Sequence, residues 1–293
     1  MIDKNIQEMV LMSQAVGRDP ADVQGGGGNT SIKLDAQEMI IKASGGLLKE
    51  ITSDSGYSVV NYRDIKQYLN APDSDEKTFI QAIKSSVVKT NNRPSMETGF
   101  HALLDRYVIH THSIYANLLT CSTKGQEIIQ HLFPSALWID YATPGLALTL
   151  AIKKKMSTLL ISADLIFLKN HGVIVTGNTM QLALDRYQSM KSQIQRYFGI
   201  YDGDFDVNKQ LFDIAFVREN VLFPDQVVYT LAGEHLLTTN AAKETLAAYS
   251  FILHTFKAIG LMPEFIPRAQ AHELFSLESE KYRQQAITAH GGE

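Results

Sequence analysis

The 293-residue chain is 45% hydrophobic and 20% charged, a globular balance that excludes the disordered and fibrous classes. Its 27 Lys and Arg against 31 Asp and Glu give 27 − 31 = −4, and the longest basic run is Lys153-Lys154-Lys155, so nucleic acid is not an expected partner. The single cysteine, Cys121, precludes an internal disulfide. No stretch approaches the roughly 18 apolar residues of a membrane span, and the opening MIDKNIQEMVLMSQAVG lacks the basic and apolar regions of a secretion signal; a cytoplasmic protein with no membrane partner is expected.

Along the chain, Ile6, Met9, Val10, Met12 and Val16 recur at mostly three- and four-residue spacings, which predicts an amphipathic helix over 2–16 that ends near Gly17. A glycine run, Gly25 to Gly28, then leads into two short strands, 29–34 and 39–42, joined by a polar turn. PSMETGFHALLD, 94–105, reads as a helix with Ser95 as its N-cap and Glu97 in its first turn, followed by the buried strand YVIHTH, 107–112. Gly145 opens a further apolar helix, and LIFLKN and VIVTG read as strands broken by His171-Gly172. A helix follows from about Met180 to Phe198. Beyond Asp202-Gly203-Asp204 the pattern becomes mainly helical, with Ala241 to Ile259 the clearest run, which places a boundary near residue 205 between a catalytic domain, 1–205, and a helical extension, 206–293.

His110 and His112 are alternate residues of a strand, so their side chains share a face with Cα atoms roughly 6.5–7 Å apart, a reach that lets two imidazoles hold one ion. Neutral imidazole suits Zn²⁺ or a similar divalent metal; the competing reading is a chance pair among nine histidines. His171, beside Gly172 at a strand end, is a weaker signal of the same kind, since turn histidines are usually solvated. Glu97 has two readings as well, an anion favouring the positive end of a helix or, beside a metal cleft, a proton-transferring base. Gly25 to Ser31 matches neither nucleotide-binding glycine pattern, but its unhindered N–H groups form a usable phosphate nest; Lys42-Ala43-Ser44-Gly45-Gly46 is a second such turn. Taken singly, each is better read as plain loop chemistry.

Taken in order, GGNTS, KASGG, PSMETGFH, HTH and NHG resemble the class II aldolase/adducin family from about residue 7 to residue 200. Details such as GRDPADV and IDYATPG look most like the aldolase half of bifunctional rhamnulose-1-phosphate aldolase/lactaldehyde dehydrogenase proteins. The resemblance implies a three-layer α/β/α sandwich around a mixed, largely antiparallel sheet, with His110, His112 and His171 as ligands of Zn²⁺, or of Mn²⁺ or Co²⁺ in its place, and Glu97 as catalytic acid/base. It assigns the substrate phosphate to Gly28, Asn29, Ser44, Gly45 and Ser95. Met96 departs from the family's commoner second serine, and a glycine-only stretch stands where some members carry a hydroxyl. The implied reaction is retro-aldol cleavage of a ketose 1-phosphate to dihydroxyacetone phosphate and an aldehyde, the ion acting as Lewis acid. Members commonly form homotetramers in which a neighbouring chain completes the cleft; Tyr141 and Tyr229 are both candidates for that role. Epimerases of the family typically carry Asp where this chain has Glu97, and adducin-like scaffolds have lost the histidines; both contrasts favour an aldolase, beside which dehydratase and decarboxylase members also exist.

Overall fold

The computed structural model describes residues 4–71, 75–89, 92–159, 163–201, 203–209, 212–231 and 234–276. Its aliphatic and β-branched runs form β1 (Asn29–Lys33), β2 (Glu38–Lys42), β3 (Tyr57–Asn61), β4 (Val87–Lys89), β5 (Tyr107–Thr111), β6 (Leu137–Ile139), β7 (Leu165–Leu168) and β8 (Gly172–Gly177). They make one sheet in the order β4-β3-β2-β1-β5-β8-β7-β6, antiparallel except between β6 and β7. Both edge strands are three residues long, which leaves little unpaired backbone for another chain to extend.

Helices α1 (Lys4–Gly17), α2 (Tyr62–Tyr68), α3 (Glu76–Ser85), α4 (Thr98–Leu103), α5 (Ile114–Thr120), α6 (Gly125–Leu132), α7 (Leu146–Leu159) and α8 (Met180–Phe198) connect the strands, and α9 (Ile214–Glu219), α10 (Pro224–Gln226), α11 (Asn240–Ile259) and α12 (Arg268–Ser276) follow. Side chains alternate across the strands. Tyr107, Ile109, Phe167, Val173 and Val175 enter one apolar core with α1, α5, α8 and α11, whereas Val108, Ile166, Leu168 and Ile174 enter another with Phe100 of α4 and Leu148 and Ile152 of α7. Met39, Ile41 and Val60 continue that second face under α2 and α3. Helices on both sides of a largely antiparallel sheet are the three-layer sandwich expected from the sequence, with further helices at the C-terminal end. No helix among the described residues is long and apolar enough to cross a membrane.

Most predicted elements appear within two residues of their expected bounds; residues 2 and 3 of the first helix and 277–293 of the extension lie outside the described residues. One helix start differs. Instead of beginning at Ser95, α4 starts at Thr98, because Arg93 to Ser95 lies extended beside Lys42 to Ser44. There Ser44 N–H donates to Arg93 O at 2.8 Å, Ser95 N–H donates to Lys42 O at 3.3 Å, and Ala43 bridges Pro94. Tertiary pairing overrides the local capping signal, and Ser95 is released for other work.

Candidate metal and substrate site

On β5 the alternation that buries Val108 under α4 also turns His110 to that side, where its ring meets Phe100 edge-on at 5.6 Å between centroids. Asn29 of β1 is the direct cross-strand partner of His110, so its amide shares the face. His112 stands one residue beyond the strand. His171 is brought to both by the turn between β7 and β8, which Asn170 closes in the left-handed region at φ 52° while Gly172 lies against the Thr111 carbonyl, too close for a Cβ.

The ligand atoms of His110, His112 and His171 lie within 4.8 Å of one another, and all three residues are buried. The outer nitrogens fix two tautomers. His110 Nδ1 donates to the Val173 carbonyl at 3.0 Å and His112 Nδ1 donates to a carboxylate oxygen of Asp225, so both carry Nδ1–H and present the lone pair of Nε2 inward. Those two Nε2 atoms stand 3.1 Å apart. Burial pushes His110 down to about 4, so at neutral pH its Nε2 carries no proton. Converging imidazole lone pairs, with outer nitrogens tied to a backbone carbonyl and a carboxylate, are the donor set of a divalent cation. The residues fit such an ion.

Glu97 faces this centre instead of capping α4: its side chain makes no cap hydrogen bond. Oε2 stands 3.5 Å from His110 Nε2 and Oε1 3.5 Å from His171 Nε2, and Oε1 is a buried oxygen without a hydrogen-bond partner among the described residues. Asn29 Nδ2 donates to Oε2 at 2.7 Å and to Ser95 Oγ at 3.2 Å. The amide is oriented from behind by His101, which donates from Nε2 to Asn29 Oδ1 and accepts at Nδ1 from Ser31 Oγ at 2.7 Å. His101 is fully buried, and desolvation holds its ring well below the usual histidine range, so one tautomer serves both bonds.

Gly28, Asn29, Ser44, Gly45 and Ser95, which the family resemblance assigns to phosphate, line one cleft together with Glu97, His112 and His171. Ser95 Oγ accepts from Glu97 N–H at 3.2 Å as well as from Asn29, which leaves its hydroxyl proton as a donor. Lys42 also lines the cleft, with Nζ donating to Gly26 O at 3.0 Å. Neither tyrosine lines it. Tyr229 is fully buried with its hydroxyl accepting Gly26 N–H at 3.0 Å, and Tyr141 packs against the cluster of Val221, Val227 and Ile266. Sequence reasoning missed Lys42, His101 and Asp225. Lys42 sat within a motif already singled out, and His101 stands four residues after Glu97, a helical spacing that hints at a shared face; Asp225 carries no local signal.

The sequence model of the class II aldolase and adducin N-terminal domain matches residues 7–198. The structure of the N-terminal class II aldolase domain of a conserved protein from Thermoplasma acidophilum is 28% identical with a TM-score of 0.60, over 67% of this chain and 95% of that one. YuxG of Bacillus subtilis, described as an uncharacterized oxidoreductase, is 24% identical over 207 residues, 67% of this chain and 30% of YuxG. Methylthioribulose-1-phosphate dehydratase of Pectobacterium carotovorum is 32% identical over 111 residues, 36% of this chain and 43% of the dehydratase. The match thus spans less than half the length of either curated relative. With that domain matched over most of the chain, the chain belongs to the class II aldolase/adducin family.

Proposed function

We propose that the protein is a divalent-metal-dependent sugar-phosphate aldolase that cleaves a ketose 1-phosphate to dihydroxyacetone phosphate and an aldehyde. One observation carries the reading: the Glu97 carboxylate stands 3.5 Å from the inner nitrogens of two histidines of a buried triad, at the end of a cleft lined with phosphate-type donors. His110, His112 and His171 would hold a divalent cation, Zn²⁺ being the best match to three imidazoles, and the cation would supply Lewis acidity. Glu97 moves the proton at the carbon left by C–C cleavage, with Asn29 holding its carboxylate in place. Gly28, Asn29, Ser44, Gly45 and Ser95, with Lys42, grip the phosphate. The family resemblance supports a homotetramer.

The similarity to a methylthioribulose-1-phosphate dehydratase favours a second reading, in which the same proton abstraction expels water and leaves the carbon chain intact. The readings separate when Zn²⁺-loaded protein is incubated with rhamnulose 1-phosphate, fuculose 1-phosphate, ribulose phosphates and methylthioribulose 1-phosphate. Release of dihydroxyacetone phosphate supports the aldolase. Dehydration of a substrate without cleavage of any replaces it with the second reading, and uptake of no divalent cation ends both. Glu97→Gln is expected to keep the cation while losing proton exchange with solvent at the reacting carbon.

A further inference from the structure

The matched family domain ends at residue 198, yet residues beyond it reach the site at several points. Gly25 N–H donates to Glu244 Oε2 at 2.7 Å, and Gly26 N–H donates to Tyr229 Oη at 3.0 Å, so α11 and the turn after α10 fasten the start of the glycine loop. Asn170, which closes the turn carrying His171, donates to Leu222 O at 2.9 Å and to Glu264 O at 2.6 Å. Asp225, fully buried on α10, accepts from His112 Nδ1 across 113 positions of sequence. Gly27 shows how closely this last contact is fitted to the loop: a Cβ there would lie against the Asp225 carboxylate and 2.8 Å from His112 Nδ1.

We propose that Asp225 is a positioning residue for His112, fixing the ring so that Nε2 is the atom offered to a divalent cation, and that the segment after residue 205 is therefore part of the catalytic unit. The inference rests on the metal reading given above. Without the carboxylate, His112 can take either tautomer and turn about its χ2 angle, and the triad loses one pre-set ligand. A carboxylate behind a ligating imidazole also raises its basicity, and removing such a partner typically weakens metal affinity about 10- to 100-fold.

The test is Zn²⁺ affinity by chelator competition, with the absorption spectrum of the Co²⁺-loaded protein as a second readout, for wild type, Asp225→Ala and Asp225→Asn. Asp225→Ala is expected to bind Zn²⁺ about 10- to 100-fold more weakly. Asp225→Asn, which keeps an acceptor but a neutral one, is expected to fall several-fold, with altered Co²⁺ bands in both variants. If both variants stay within about twofold of wild type with unchanged spectra while their thermal stability drops, Asp225 is structural only and the inference is overturned. If Asp225→Ala does not fold, Asp225→Asn decides by the same measure. If wild type itself takes up neither Zn²⁺ nor Co²⁺, the metal reading fails and the inference falls with it, so the wild-type arm tells the two failures apart.

Discussion

Nδ2 of Asn29 donates a 2.7 Å hydrogen bond to Oε2 of Glu97, tying the first residue of β1 to the residue before α4 across 68 positions of sequence. The amide cannot reverse without placing its oxygen against the carboxylate, because His101 donates to that oxygen from the other side. Glu97 is thereby oriented by a chain running from Ser31 through His101 to Asn29.

Asn29→Ala is therefore expected to free the carboxylate and leave Glu97 and Ser95 each short of a donor. A buried group left unsatisfied costs about 1–3 kcal/mol, which corresponds to turnover falling roughly 10- to 100-fold. Zn²⁺ content should stay at the wild-type level, since Asn29 touches none of the three histidines' inner nitrogens. Steady-state kinetics alongside metal analysis checks this; loss of the cation together with turnover would move Asn29 from the proton-transfer apparatus to the metal shell.

Gly26 and Gly27 are adjacent in a run of four glycines and are expected to respond differently to alanine. At Gly26 the nearest atom to an added Cβ is the Tyr229 hydroxyl at 3.4 Å, an ordinary contact, so Gly26→Ala should change unfolding free energy by less than about 0.5 kcal/mol. At Gly27 the methyl would drive into Asp225 and His112, so Gly27→Ala should cost about 1–3 kcal/mol as overpacking and weaken Zn²⁺ binding as well. Chemical denaturation of the two variants compares them directly, and equal costs would count against the fitted contact.

How much of this was legible beforehand follows from the range of the interactions. The period-two pattern of YVIHTH put His110 and His112 on one face, and the folded strand does so through Thr111. His171 had no such periodicity, and its place depends on Asn170 adopting φ 52° and on a hairpin whose geometry is not written in N-H-G. The expected cap at Ser95 gave way to pairing with Lys42 to Ser44, a partner about fifty residues distant that no helical window contains. Asp225 lay farther still from His112, in a segment that sequence reading set apart as an extension. Local periodicity set the sheet, the long helices and two of the three ligands; contacts between distant segments set the orientation of Glu97 and His112.

Lys42 is nearly fully buried, lines the cleft, and donates from Nζ to Gly26 O at 3.0 Å. That bond holds the ammonium against the glycine loop, where it faces the same space as Ser44, Gly45 and Ser95. Lys42→Met is expected to raise KM for a phosphorylated substrate by roughly 10- to 100-fold, the loss of a hydrogen bond to a charged group at about 1.5–3 kcal/mol, with a smaller change in kcat. Competition by inorganic phosphate should weaken in parallel. An unchanged KM with reduced kcat would instead place Lys42 at the reacting carbons.

The buried histidines make the metal-free protein acid-sensitive in a defined direction. Burial lowers His110 from 6.5 to about 4, and the same cause takes His101 well below 6.5. Between pH 6.5 and 4 the unfolded chain binds protons at these rings and the folded one does not, so stability is full above pH 6.5 and falls as pH drops toward 4. For His110 the loss is on the order of 3 kcal/mol across the window. Asp22 opposes it, because burial raises its carboxyl above the usual range and acid then favours the folded state. The interval from pH 6.5 to 5 lies within the histidine window. Urea midpoints of metal-free protein should decline through that interval, and Zn²⁺ should raise the midpoint at pH 7 and steepen the decline, since a bound cation keeps the ligand imidazoles free of protons that the unfolded chain still takes up. A midpoint constant from pH 7 to 5 in metal-free Asp22→Asn protein, which lacks that opposing carboxyl, would mean that His110 and His101 titrate alike in both states, against their burial.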